Sequence, residues 1–265
     1  MNTEILIRGC TKDLPWMEYA IRSMGRFCTG FSGVTILVAS DEASRFLKFE
    51  GMTTHDGKPV RIQAYPPHKD KPMLACMGEL CFADEYCPDA DLVLHTDSDC
   101  VFKCPVTPDN YISDGKPDLL IRTYAWLKQA GLPMYCWKAP TDAALGMNVR
   151  YETMARHPAV HWTGLYPAMR ERIEKVHNKL FMHYVLGFPE RFPWGFAEFP
   201  ALGAWAMEWA PEAYHLVDVT GVSEEEIGIK WKNTIHQGWT HFNMGNSEDV
   251  RKAIEQKQLF DRLIS

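Results

Sequence analysis

Hydrophobic and polar positions fall into alternating blocks over the first half of the chain. Residues 4–8 form a short apolar run bounded by Glu4 and Arg8 and predict a strand. A polar turn at 9–13 leads into 14–27, where apolar residues recur at helical spacing and Pro15 sits in the first turn, its missing N–H harmless there. Residues 34–39 (Val-Thr-Ile-Leu-Val-Ala) are nearly continuous in apolar and β-branched character, the pattern of a strand buried on both faces. Ser40 and Asp41 end that strand and can cap a short helix through Leu47. Residues 60–64 predict a third, weaker strand. A helix is expected over 70–86, with Met73, Leu74, Met77, Leu80, Cys81 and Phe82 as its buried stripe. Strands are expected again at 92–95 and 119–122. This β-α-β-α order predicts an α/β fold with a mixed, mainly parallel sheet flanked by helices.

After Tyr124 the pattern loosens. Residues 125–148 are rich in aromatics, Gly and Pro without clear periodicity and read as substrate-facing loops. A long helix is expected over 166–186, an aromatic Pro/Gly loop over 192–199, a helix or strand over 202–209, a strand over 214–219 and a charged terminal helix over 248–263. No repeat or low-complexity linker interrupts the chain, so one domain spanning 1–265 is expected.

Composition narrows the class. With 46% hydrophobic and 23% charged residues the chain is globular rather than disordered. Glu4 and Arg8 interrupt the N-terminal apolar run, so it reads as a strand and not a signal peptide. No run reaches the roughly 18–20 apolar residues of a membrane span, and a soluble, cytoplasmic protein is expected. The eight cysteines contain no Cys-x-x-Cys pair, which argues against a zinc ribbon and for reduced thiols. A net charge of −6 gives no general attraction to nucleic acid. Between Arg150 and Arg191, however, seven Lys/Arg face four Glu. This local excess suits an anionic acceptor or simply a solvated helix face.

The segment with the clearest chemistry is 91–102, Asp-Leu-Val-Leu-His-Thr-Asp-Ser-Asp-Cys-Val-Phe. An apolar strand runs directly into two carboxylates, Asp97 and Asp99, one residue apart. Open parallel sheets gather ligand sites just beyond the carboxyl ends of their strands. An Asp-x-Asp turn there can bring two hard oxygen ligands to one Mg²⁺ or Mn²⁺, leaving coordination positions for phosphate oxygens. A polar turn after a core strand would use the same residues.

This arrangement resembles the GT-A class of glycosyltransferases, whose donor half is a Rossmann-like sheet ending in such a carboxylate motif. Looser similarity to predicted bacterial and phage transferases lies in Arg156-His157-Pro158, in 195–203 and in Trp239-Thr240-His241. The resemblance implies a GT-A type fold, with 1–124 as the nucleotide-sugar donor half and 125–265 as the acceptor half and terminal helix. It also implies metal-dependent transfer of a hexosyl or pentosyl group from a nucleotide-diphosphate sugar, a UDP-sugar first, to an acceptor hydroxyl. Glycan, lipid headgroup, protein and hydroxymethylated DNA base all stay open as acceptors.

Under that resemblance Asp97 and Asp99 hold the metal, Asp97 also meets the donor, and His241 is a further metal ligand, with His236 a nearby competitor. Arg8, Thr11, Lys12 and Asp13 follow the first strand and Asp41 the second, where such enzymes contact the nucleoside. Arg8 can pair with a diphosphate and Asp41 can accept a pyrimidine N–H. Lys71, opening the helix before the Asp-x-Asp strand, can reach the donor or be solvated. Glu198 lies among Trp194, Phe196 and Phe199. Apolar surroundings raise a carboxyl pKa, as suits a general base or a group binding sugar hydroxyls, and the position resembles the acidic residue near a GT-A acceptor. His157, His161, Trp162 and Tyr166 read as the packed entry to a helix in preference to a stacking platform. Two other readings stand beside this one. A nucleotidyltransferase shares the sheet and carboxylates, but Gly9-Cys10-Thr11-Lys12 is poor in Gly for a phosphate loop. The second is a nucleotide-sugar-binding protein without turnover.

Overall fold

A computed structural model describes residues 1–154, 158–223, 226–227, 234–238 and 247–265. Its central sheet has five strands in the order β3-β2-β1-β4-β9, built from β1 (Thr3–Arg8), β2 (Gly33–Ala39), β3 (Val60–Tyr65), β4 (Leu92–Thr96) and β9 (Ala159–Trp162). The first four run parallel and β9 pairs antiparallel with β4. The sheet is therefore mixed and mostly parallel, as the strand–helix alternation predicts. β1, β2 and β4 are buried along almost their whole length, which is why their sequences are near-continuous apolar runs instead of alternating ones.

Two apolar layers cover the sheet. Ile5, Ile7, Leu92 and Leu94 face one, against Met17, Ile21 and Met24 of α1 (Leu14–Phe27). Leu6 and Val93 face the other, with side chains from α2 (Pro72–Leu80), α6 (Leu165–His177), α7 (Phe181–Val185) and α8 (Glu198–Trp209). A second sheet carries β6 (Ile112–Ser113), β7 (Lys116–Thr123), β8 (Tyr151–Glu152) and β10 (His215–Asp218), with β10 parallel to β7. A short antiparallel pair joins β5 (Cys100–Phe102) to β11 (Ile235–Gln237). The terminal helix α9 (Ser247–Ile264) lies on α1. Tyr19 Oη donates to Asp261 at 2.8 Å, Arg26 Nη1 donates to the Ile264 carbonyl at 2.8 Å, and Phe260 meets Trp16 edge-on.

Several expected elements differ. The expected helix over 70–86 is two, α2 and the one-turn α3 (Ala83–Tyr86). The expected 166–186 helix breaks where Asn178 takes a left-handed conformation (φ 47°), and it resumes as α7. The expected loops at 125–148 are largely helical, as α4 (Tyr124–Gln129), a 3₁₀ segment Pro133–Trp137 and α5 (Lys138–Leu145). The Thr123 hydroxyl caps α4 by accepting from Trp126 N at 3.3 Å. After β2 the chain makes two 3₁₀ turns, Ala43–Arg45 and Leu47–Phe49, in place of one short helix. No helix among the described residues is long and apolar enough to cross a membrane. All eight cysteines are free thiols.

Candidate functional site

The strand order 3-2-1-4 makes the gap between β1 and β4 the point where successive connections leave in opposite directions. Open α/β sheets bind ligands at such a point, outside the carboxyl ends of the strands. The register pairs Ile7 with Thr96, so Arg8 and Asp97, the next residues out on each strand, meet there. Arg8 Nε lies 3.0 Å from Asp97 Oδ1. Arg8 shares its sheet face with Leu6, and Asp97 shares its face with His95 and Val93; this is the face covered by α2, α6 and α8.

Glu198 completes the cluster from far along the chain. It is the first residue of α8, and its carboxylate sits at the positive end of that helix. Arg8 Nη1 donates to Glu198 Oε1 at 3.2 Å. One guanidinium therefore bridges two carboxylates that lie 101 residues apart in sequence. The Glu198 side chain is only 5% exposed, against 16% for Asp97 and 24% for Arg8, so the cluster opens to solvent on the Arg8 side. Burial alone would lower the Arg8 pKa, but Asp97 first and Glu198 second outweigh it and hold the guanidinium firmly protonated.

The first turn of α8 is also keyed to β4. Phe199 packs edge-on against His95, ring centroids 5.3 Å apart. His95 Nε2 and Tyr166 Oη share a 2.5 Å hydrogen bond beneath. This register of Phe199 on β4 sets where Glu198 stands relative to Asp97. Behind it, His161 is fully enclosed, and burial pushes its pKa down to about 3, so the ring is neutral. Its Nδ1 lies 3.4 Å from Tyr214 Oη. His161 and Tyr166 are thus core groups, as their sequence context suggested.

The second aspartate lies in the same turn. The Asp99 backbone carbonyl accepts from Gly238 N at 2.9 Å, and Gln237 Nε2 donates to Asp97 Oδ2 at 3.3 Å. β11 thereby borders the Asp-x-Asp turn. The chain leaving β11 contains His241, which lies outside the described residues, while His236 packs edge-on against Phe260 of α9.

The remaining candidate residues stand as follows. Thr11 N donates to the Glu42 carboxylate at 2.9 Å, which ties the β1 turn to the β2 turn. Asp41 is exposed past the end of β2. Lys71 Nζ donates to the Leu186 carbonyl, which anchors it to the chain after α7. Beside it Glu190 accepts from Met73 N (2.7 Å) and Leu74 N (3.2 Å), so a carboxylate from across the fold caps α2.

Sequence reading did not single out Gln237, Glu190 or Cys76. Cys76, on α2, is close enough to Arg8 and Glu198 to feel both charges. Burial pushes its thiol up to about 11 against the opposing pull of Arg8, and it hydrogen-bonds with Tyr65 at the end of β3. Gly9 allows the close packing beside the site: a Cβ there would come within 2.8 Å of Met17 Cε and 2.9 Å of the Phe46 ring.

Among the described residues, no group of three or more His, Cys, Asp and Glu converges as a ready-made metal cage. The donor set present is two aspartates just past a strand end. Both are hard oxygen donors, the class a divalent cation such as Mg²⁺ or Mn²⁺ takes, and one of them, Asp97, is ion-paired with Arg8. No protein-family model matches the chain, and no curated protein matches it.

Proposed function

We propose that this chain is a metal-dependent glycosyltransferase of GT-A type. It moves a sugar from a nucleotide-diphosphate sugar, a UDP-sugar first, to a hydroxyl of a glycan or a modified DNA base. The observation that carries this reading is the Arg8–Asp97–Glu198 cluster at the switch point of a Rossmann-like sheet.

The residues divide the work by their chemistry. Asp97 and Asp99 are the ligands for Mg²⁺ or Mn²⁺. When bound, the metal neutralises charge on the departing diphosphate. Arg8 stays cationic and offers a fork that matches phosphate oxygens. Glu198, enclosed beside it, holds the acceptor hydroxyl or a sugar hydroxyl by accepting its proton in a hydrogen bond. In an inverting reaction it takes that proton outright. His241 is a candidate further ligand from the segment after β11.

A thermal-shift screen of nucleotide sugars with and without Mn²⁺ tests the reading, since a ligand that binds the folded state raises its Tm. A UDP-sugar is expected to raise Tm only with the metal. Slow donor hydrolysis should fall by about 100-fold or more in Asp97→Ala and Asp99→Ala. Metal-independent stabilisation, or hydrolysis indifferent to both substitutions, would remove the assignment.

A further inference from the structure

We infer that the corner between α6 and α7, together with the loop after α7, docks on the surface of an anionic lipid bilayer. This stands apart from the transferase reading. Of the eight exposed large hydrophobics among the described residues, three fall in this one stretch: Val176 (36%), Leu180 (63%) and Phe192 (64%). Exposed Lys175, Lys179 and Arg191 lie beside them. Over 175–193 three Lys/Arg meet one Glu, a balance of 3 − 1 = +2 within a chain of net charge −6. Those three cations form no ion pair among the described residues, whereas Arg170, earlier on α6, is held by Asp84. The nearby acids are mostly engaged: Glu190 accepts from Met73 N and Leu74 N, and Glu174 accepts from Phe181 N at 2.8 Å. Glu171 is the exposed acid of α6.

α5 and a ladder of rings support this surface. At the C-terminal end of α5, a Cβ on Gly146 would come within 2.9 Å of Val176 Cγ1, and His177 Nε2 donates to the Ala143 carbonyl at 3.0 Å. At its N-terminal end Phe192 stands edge-on to Trp137, ring centroids 5.6 Å apart. Between them His177 stacks on Tyr184 at 4.1 Å, and Tyr184 meets Phe188 edge-on at 5.1 Å. An eight-residue helix is about 12 Å long, so the apolar tips and the cations share a footprint of a few lipid headgroups. Apolar tips gain by entering the headgroup–acyl boundary while ammonium and guanidinium groups meet lipid phosphates. A nucleic acid would reward the cations but not bare Val176 and Leu180. Protein interfaces are depleted in Lys, and an anionic bilayer favours it.

Cosedimentation of the full chain with vesicles tests the inference. Binding is expected to vesicles containing about 30% phosphatidylglycerol in phosphatidylcholine, to be weak with phosphatidylcholine alone, and to fall as salt rises. Lys175→Gln and Lys179→Gln should each weaken it about fivefold. The pair Leu180→Ser with Phe192→Ser should weaken it about tenfold or more. All four side chains are exposed, and thermal melts of the variants should match wild type. Ile254→Ser, which removes an equally bare apolar side chain from α9, should leave binding unchanged. No binding of wild type to the anionic vesicles would overturn the inference, as would equal loss in Ile254→Ser or indifference to Leu180 and Phe192. Tight binding of duplex DNA that follows the two lysines but ignores Leu180 and Phe192, without vesicle binding, would assign the surface to nucleic acid instead.

Discussion

The His95 imidazole and the Tyr166 hydroxyl share a 2.5 Å hydrogen bond in the layer between β4 and α6. Both residues are fully buried, and His95 stands two residues before Asp97. Tyr166→Phe removes the hydroxyl and keeps the ring, so it should cost about 1–3 kcal/mol, the usual penalty for taking a buried polar group's partner. Urea denaturation checks this. A loss below about 0.5 kcal/mol would mean that the bond contributes little to the fold.

Acid should destabilise the protein through His161. Its folded pKa of about 3 lies below the ordinary value of 6.5. The unfolded chain takes up a proton as pH falls through 6.5, and the folded chain resists until about 3. The contribution is complete above pH 6.5 and declines below it, by up to about 1.4 kcal/mol per pH unit. His161→Gln should have a flatter stability profile between pH 6.5 and 4. Parallel profiles for the two proteins would contradict the neutral, enclosed imidazole.

Glu190 should govern the start of α2. Glu190→Ala removes the acceptor for Met73 N and Leu74 N, at a cost of about 1 kcal/mol. The specific readout is amide exchange, which should accelerate at Met73 and Leu74 more than along β1. Glu190→Gln keeps an acceptor oxygen and should show a smaller change at both amides.

Packing beneath the site leaves no room at Gly203. A Cβ there would collide with Thr153 Oγ1 and Cβ, and come within 2.9 Å of Thr153 Cγ2. Gly203→Ala should destabilise by about 1–3 kcal/mol despite the better helix propensity of Ala. Adding Thr153→Gly should recover part of that loss, and thermal melts of the single and double variants measure both effects.

How legible each part was follows from its surroundings. β1, β2 and β4 were readable because burial on both faces leaves continuous apolar runs. β5, β9 and β11 have only three or four residues each and pair antiparallel. A run that short has no period to detect. Helices α4 and α5 were hidden because Gly131, Pro133 and Pro140 interrupt the aromatic sequence around them, and propensity there yields to packing of Tyr124, Leu127 and Leu145. In the candidate site, Asp97 could be found from its motif, Arg8 from its place at the end of a strand, and Glu198 from its aromatic neighbours. That one guanidinium joins them could not be found, because it depends on β1 and β4 being neighbours in the sheet. The acceptor from Glu190 to α2 was equally invisible, since nothing local marks a cap supplied from 117 positions away.

The bridge from Arg8 to Asp97 and Glu198, bordered by Gln237, draws on the start, middle and end of the polypeptide. Such long-range closures are reached late in folding, after nearer contacts have formed. During synthesis, then, a nascent chain still lacking β11 or α8 cannot assemble this cluster, however well its first four strands have docked. Under the proposed function, ligand capture would report on the finished molecule, and a partly made or clipped copy would be silent instead of partially active.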